Sequence, residues 1–342
     1  MQMTQTAFAI IGHGHIGKRH AAVITGNPHA RLAALCDADV RVLKGVSETP
    51  VFTDIQDMLE THPEIDVVNI CSPNGLHAAH AMVALQHNKH VVIEKPMALT
   101  TADCNLLISE ARARNKHIFC VMQNRFSPPS VWIKQVVQDG SLGDIYLVQV
   151  NCFWNRDARY YTGDTWHGTA ALDGGTLFTQ FSHFMDTMLW LFGEITDIHA
   201  QFADFNHQQL TDFEDSGMVQ FRFVRGGMGS LQYSTAVYDR NFESSIRIIG
   251  SKGTVCLGGQ YMNEVTYCHI QDYTMPQLEP TAAPNNYGAY TGSAANHHFI
   301  IQNVLDVLHA QAPIATTAEE GRLVVDTIER IYALRPSALL RS

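Results

Sequence analysis

The chain predicts an α/β protein in two parts, a doubly wound parallel sheet followed by an α+β domain with a large, mostly antiparallel open sheet. Three observations carry this. From residue 6 to about 122, short β-branched runs alternate with amphipathic stretches, the pattern of βαβ units. A glycine-rich loop joins the first of these strands to the first helix. Beyond residue 140 the strands lengthen and follow one another through glycine turns such as Arg225-Gly226-Gly227, which suits antiparallel pairing.

In the first part strands are expected at 6–11, 31–36, 66–71, 90–94 and 117–121, with helices near 15–26, 39–46, 54–60, 75–87 and 101–114. Thr100-Thr101-Ala102-Asp103 is a capping box that starts the last of them. After Ser127-Pro128-Pro129 a further helix ends near Gly140. Residues 144–154 then read as a strand, followed by a loop rich in aromatic residues and arginine. Residues 174–191 predict a helix, because apolar positions persist for about five turns between Gly175 and Gly193. Strands follow at 195–202, 216–224, 228–237, 243–250 and 253–257. Two helices, 293–309 and 317–334, come last, the second opened by the capping box Thr317-Ala318-Glu319-Glu320. At 342 residues the chain exceeds one ordinary core, and the expected domains are 1–124 and 125–342.

Composition narrows the function classes. With 23 basic against 33 acidic residues and no basic run, a nucleic-acid partner is not expected. Apolar runs such as Ala7-Phe8-Ala9-Ile10-Ile11 fall far short of the ~20 residues of a membrane span. The N-terminus lacks the basic region and cleavage site of a secretion signal, so a cytoplasmic location is expected. Seven cysteines, an odd number with no C-x-x-C pair, read as reduced thiols, and no metal site is expected from them. Of the 18 histidines most must be surface or core residues.

Gly12-His13-Gly14-His15-Ile16-Gly17 follows a strand and opens a helix, the context in which G-x-G-x-x-G marks a Rossmann dinucleotide-binding domain. Its glycines allow a tight turn and close approach of a pyrophosphate to the helix amides. Asp37 ends the second strand about 20 residues on, placed to accept from adenosine ribose hydroxyls and to repel a 2′-phosphate. NAD is therefore expected over NADP. The competing reading of Asp37 is a cap for the next turn. Ser72, Pro73 and Asn74 end the third strand and should face the cofactor, with His77 one turn on. Glu94, Lys95, Gln123 and Arg125 are placed with it as cofactor contacts. Lys95 stands where a buried strand ends, at the rim where open parallel sheets bind ligands. Its competing reading is a salt bridge to Glu94, although adjacent strand residues point to opposite faces.

Taken together, Gly12 to Gly17, Ser72-Pro73-Asn74, Glu94-Lys95-Pro96 and Asp173-Gly174-Gly175 with His183-Phe184-Met185-Asp186 resemble the Gfo/Idh/MocA oxidoreductases over nearly the whole chain. The resemblance implies an NAD-dependent dehydrogenase with Lys95 and His183 as catalytic residues, and a second domain whose open sheet forms a homodimer or homotetramer. The family commonly has an aspartate four residues before the histidine and a glycine two before it, where this chain has Thr179 and Phe181. Phe181 is expected to narrow the pocket. Asp186 lies on the same helix face as His183 and is a candidate to orient it, a structural role being the alternative.

A narrower resemblance, through Gln123-Asn124-Arg125-Phe126, Phe153-Trp154-Asn155-Arg156, Tyr160-Tyr161, Trp166-His167-Gly168 and the 286–297 segment, is to bacterial enzymes that oxidise C3 of UDP-N-acetylglucosaminuronic acid. It implies a UDP-sugar substrate. Oxidising a secondary alcohol needs a base near neutrality and a fixed positive partner for developing alkoxide charge, roles that His183 and Lys95 would fill. Candidate substrate residues are Arg125 and Arg156 as clamps for an acidic group, Tyr160, Tyr161 and Trp166 as stacking surfaces, Thr179, Ser293 as a helix cap facing a diphosphate, and Asn296. Each also has a plain structural reading. The alternatives are a dehydrogenase of a free sugar, polyol or inositol, an NAD-retaining glycoside hydrolase, and a non-catalytic dinucleotide sensor.

Overall fold

The computed structural model describes residues 5–336 apart from 164, 165 and 289, and the chain forms two compact units. The first is built on six parallel strands, β1 (Thr6–Ile11), β2 (Ala30–Cys36), β3 (Val51–Phe52), β4 (Val67–Ile70), β5 (His90–Ile93) and β6 (Ile118–Cys120), in the order β3-β2-β1-β4-β5-β6. Every residue of β1 and β4 is buried, which is why these strands read as unbroken apolar runs. Strand order reverses between β1 and β4, so their carboxyl ends frame the crevice where such sheets bind ligands. The helices are α1 (His15–Thr25), α2 (Ile55–Thr61), α3 (His77–Gln86) and α4 (Thr101–Ala113). The α4 cap forms as expected, Thr100 Oγ1 accepting the Asp103 N–H at 3.0 Å. The helix expected at 39–46 is only a 3-10 turn, Val40–Leu43, and the two-residue β3 is too short to show a period.

The second unit follows with α5 (Pro128–Gln138), β7 (Ile145–Phe153), α6 (Ala158–Tyr161), α7 (Ser182–Phe192), β8 (Ile195–Ala203), β9 (Ser216–Phe223), β10 (Met228–Ser234), β11 (Glu243–Gly250), β12 (Gly253–Gly258) and β13 (Glu264–Ile270). Its seven strands lie in the order β13-β12-β11-β7-β10-β9-β8. All pair antiparallel except β10 with β7. In β9 the inward Val219, Phe221 and Phe223 alternate with exposed residues, the period of a strand buried on one face. On the outer face Met228, Leu147 and Ile249 stand side by side across three strands, 50%, 38% and 41% exposed. Two features were not expected from the sequence: β13, whose burial barely alternates, and the hairpin β14 (Pro284–Asn286) and β15 (Thr291–Ala294).

Ser293 thus lies in a strand and does not cap a helix at 293–309; the helix α8 (His297–Leu308) begins four residues later. It packs on α1, burying Ile300, Ile301, Val304 and Leu305. The last helix, α9 (Ala318–Tyr332), opens with its expected box, Glu320 N–H to Thr317 Oγ1 at 3.2 Å and Thr317 N–H to Glu320 Oε2 at 2.9 Å. The first unit takes in the chain through Met122 and His297–Val325, and the second takes in Gln123–Asn296 and the chain from Asp326 onward. The expected split into 1–124 and 125–342 did not foresee this return. Its cause is the apolar stripe of α8, which finds its partner on α1. Among the described residues no helix is long and apolar enough to cross a membrane. Among the described residues the seven cysteines form no disulfide.

Candidate functional site

In the first unit the glycine loop is dictated by close packing. Gly12 takes φ +91°, and a Cβ there would lie 2.6 Å from the Cys71 carbonyl; one on Gly17 would lie 1.9 Å from the Gly12 oxygen. Over Gly14, by contrast, nothing lies within 4 Å. That space sits at the N-terminus of α1, whose first residues are His15 and Ile16, and it fits a pyrophosphate. Asp37 Oδ2 accepts the His13 N–H at 2.7 Å and Oδ1 the Asp39 N–H at 2.9 Å. One oxygen thus shapes the following turn and the other steadies the loop, and each keeps a lone pair besides. Burial and the Lys18 charge lower the His13 pKa, with Asp37 opposing them. A cleft of about 350 Å³ is lined by Gly12, Asp37, Ser72, Pro73, Leu76 and His80, and these residues fit the adenosine half of NAD.

Two expected cofactor residues face elsewhere. His77 is buried with Nδ1 2.7 Å from the Pro96 carbonyl and Nε2 2.8 Å from that of Ser72, so it ties the loop after β4 to the loop after β5. Its burial lowers its pKa against the pull of those carbonyls. The cleft wall is instead reached by His80, whose Nδ1 lies 2.9 Å from Ser72 Oγ. Glu94 turns its carboxylate into the unit, 3.0 Å from His20 Nε2, while Lys95 continues from β5 into a cis peptide with Pro96. Asn74 is buried at the start of a 3-10 turn, Asn74–Leu76.

In the second unit the expected helix at 174–191 is interrupted. Gly174 and Gly175 take φ +88° and +129°, and a Cβ on Gly175 would lie 2.6 Å from the Tyr332 hydroxyl. That hydroxyl accepts the Leu177 N–H at 2.8 Å and donates to Glu214 at 2.8 Å. A π turn then runs over Leu177–Phe181 before α7 begins. Such turns take up an extra residue and cluster at functional sites. His183 follows on the first turn of α7, 2% exposed, with the Gln123 amide nitrogen 3.2 Å from its Nε2. With the amide N–H as donor, this bond uses the lone pair of Nε2. Gln123, expected beside the cofactor, is thus a partner of the histidine. No local pattern announces this, since 60 residues separate the two.

The departures at 179 and 181 have structural explanations. Thr179 Oγ1 rests on the Asp173 carboxylate and lies 3.0 Å from the Asp173 carbonyl. Phe181 is fully buried against Trp154, Phe184 and Tyr233, and fills core space where a narrowed pocket was expected. The Asp186 carboxylate, the candidate to orient the imidazole, receives Arg125 Nε at 2.8 Å and Nη2 at 2.6 Å, both side chains buried. Arg125 is thereby a structural fork, stacked over Trp190 at 5.1 Å, where a cofactor contact or substrate clamp was expected.

Most other candidate substrate residues pack among themselves. Arg156, 1% exposed, donates to Gln180 Oε1 at 2.7 Å and to the carbonyls of Asn155 and Thr291 at 2.6 and 3.1 Å, between the rings of Trp154, Tyr160 and Tyr290. Tyr160 stacks on His167 and receives Gln180 Nε2 at 2.9 Å, while Tyr161 lies edge-on to His207. Ser293 bonds Asn124, and Asn296 donates to Ser127 Oγ at 3.1 Å. Trp166, half-buried beside His167, is the least enclosed of the set.

Comparison with known proteins identifies the family. Residues 6–122 match the profile of an oxidoreductase family with an NAD-binding Rossmann fold, and residues 131–256 the GFO/IDH/MocA C-terminal domain. The myo-inositol 2-dehydrogenase of Thermotoga maritima is 27% identical over 258 residues, 72% of this chain and 73% of that protein. The D-glucoside 3-dehydrogenase of Escherichia coli is 28% identical over 344 residues, 95% of this chain and 93% of its own length. Among solved structures, the WlbA dehydrogenase of Bordetella pertussis in complex with NADH and UDP-GlcNAcA superposes with a TM-score of 0.85 at 29% identity, covering 96% of each chain.

Proposed function

The chain belongs to the GFO/IDH/MocA oxidoreductases and is an NAD-dependent dehydrogenase of the sugar and polyol class, and from that premise we propose that its substrate is a nucleotide sugar, UDP-N-acetylglucosaminuronic acid or a related UDP-sugar oxidised at C3. The observation that carries this reading is the similarity to WlbA across 96% of both chains, where other relatives match inositol or glucoside dehydrogenases at comparable identity.

Bound NAD supplies the hydride acceptor. The remaining work falls on side chains: His183 takes the hydroxyl proton, and Lys95 stabilises the developing alkoxide or relays the proton. The second unit contributes its exposed sheet face to a homodimer or homotetramer, with Met228, Leu147 and Ile249 at the contact. A free polyol is the second reading, favoured by the inositol dehydrogenase relative.

The test is NADH formation with a panel of UDP-sugars, free sugars and inositol. Turnover of a UDP-sugar at C3 with inositol inert supports the proposal, and turnover of inositol alone overturns it. Lys95→Ala and His183→Ala should each lose turnover while binding NAD, and full activity in either removes that residue from the mechanism.

A further inference from the structure

Beneath Lys95 lies a buried polar group that the reaction scheme does not use. Glu94, at the end of β5, meets His20 from α1 and His297 from the start of α8, and His20 in turn meets Asn69 from β4; all four belong to the first unit and none is more than 6% exposed. A carboxylate buried this deeply needs donors. Oε1 has two: His20 Nε2 at 3.0 Å, and His297 Nε2 at 3.3 Å in a contact without full hydrogen-bond alignment. Oε2 accepts the backbone N–H of Lys95 at 3.2 Å.

The other end of the chain of contacts sets proton positions. Asn69 Nδ2 lies 2.7 Å from His20 Nδ1, and an amide N–H facing that nitrogen requires its lone pair. The His20 proton is then on Nε2, directed at Glu94. Burial alone would raise the Glu94 pKa, but the imidazole contacts outweigh it and hold the carboxyl well below its usual range. The same burial lowers the His297 pKa more than Glu94 restores it.

We infer that Asn69, His20, Glu94 and His297 form a positioning group that fixes the direction in which Lys95 leaves the sheet. This rests on the reading of Lys95 as a catalytic residue. Donation runs from the Asn69 amide to His20 to Glu94, and the carboxylate also accepts the Lys95 backbone N–H, so Glu94, the residue after β5, and the lysine share one fixed frame. His20, Glu94 and His297 have atoms within 4.8 Å of one another, a spacing that would also admit a divalent cation. A metal would need the lone pair on His20 Nε2 and the proton on Nδ1, the opposite tautomer. The two readings therefore differ at one observable atom.

The experiment combines three measurements on the full-length enzyme. Nitrogen-15 NMR of His20 should show the Nε2–H tautomer at neutral pH in protein with no stoichiometric metal by elemental analysis; an Nδ1–H tautomer with a bound equivalent of zinc overturns the proposal. Glu94→Gln keeps size but turns one acceptor into a donor, and should lower kcat by roughly tenfold to a hundredfold with NAD affinity within about threefold. Unchanged kcat overturns the proposal.

Asn69→Asp, should Glu94→Gln fail to fold, presents an acceptor to Nδ1. His20 then donates to both carboxylates only as an imidazolium, so activity in this variant should fall with rising pH where the parent enzyme's does not. The other charged and titratable groups facing the cluster are Arg19, Cys71, His77 and Lys95, and all are unchanged in this variant. Matching pH profiles overturn the proposal. Lys95→Ala separates the two levels: if it is fully active the catalytic reading fails, and if it is inactive while Glu94→Gln is fully active only the positioning role fails.

Discussion

The hydroxyl of Thr179 rests on the carboxylate of Asp173, six residues earlier in the same unit and 1% exposed. An acid is thus present beside position 179, although position 179 itself does not carry one. Asp173 is also held by the Gly168 N–H at 2.9 Å, so the threonine is one of several donors that keep this carboxylate buried.

Thr179→Val should therefore destabilise the protein by about 1–3 kcal/mol, since it strips a donor from a buried acceptor without removing the acceptor. Thr179→Ser, which keeps the hydroxyl, should lose less. Urea denaturation of the three proteins measures this, and a valine variant as stable as the parent would contradict it.

Arg125 and Asp186 make a second test. Breaking this buried two-bond pair by Asp186→Asn or Arg125→Met should cost about 3–5 kcal/mol, because each leaves the partner charged and enclosed. The double variant Arg125→Met with Asp186→Leu should recover a large part of that loss. A double-mutant cycle on unfolding free energies reads the coupling directly.

Acid should weaken the fold well before most carboxylates titrate. Burial lowers the pKa of His13, His77, His80, His90, His207 and His297 below their ordinary 6.5, His90 to about 4. Each binds a proton more readily unfolded than folded, so stability is undiminished above about 6.5 and falls as pH drops through that value toward the folded-state pKa. Melting temperatures from pH 8 to 5 should decline throughout the lower half of that range. His90→Gln should flatten part of the decline.

The exposed row Met228, Leu147 and Ile249 predicts association through the sheet. Leu147→Glu with Met228→Glu places carboxylates across that face and should yield a smaller species by light scattering, with the circular dichroism unchanged. An unaltered mass would move the contact elsewhere.

Much of this was legible in the chain because it depends on local order. The glycine loop, the carboxylate at the end of β2 and both capping boxes are fixed by spacing along a few residues. What escaped depends on distant partners. Nothing near Gln123 points to His183, nothing near Arg125 to Asp186, and the His20, Glu94 and His297 group draws on three separate stretches of chain. The π turn was invisible for a related reason: its cause is a tyrosine hydroxyl from α9, while the apolar residues around it read as one continuous helix.

The return of α8 to the first unit has a consequence for how the protein is made. A ribosome releases residues in order, so the strands of the first unit emerge complete while the helix that covers α1 is still unsynthesised. Throughout translation of Gln123–Asn296 that apolar surface has no native cover. The cofactor-binding half is thus begun first and finished after most of its companion has been translated, and the nascent chain is most open to chaperones and proteases in that interval.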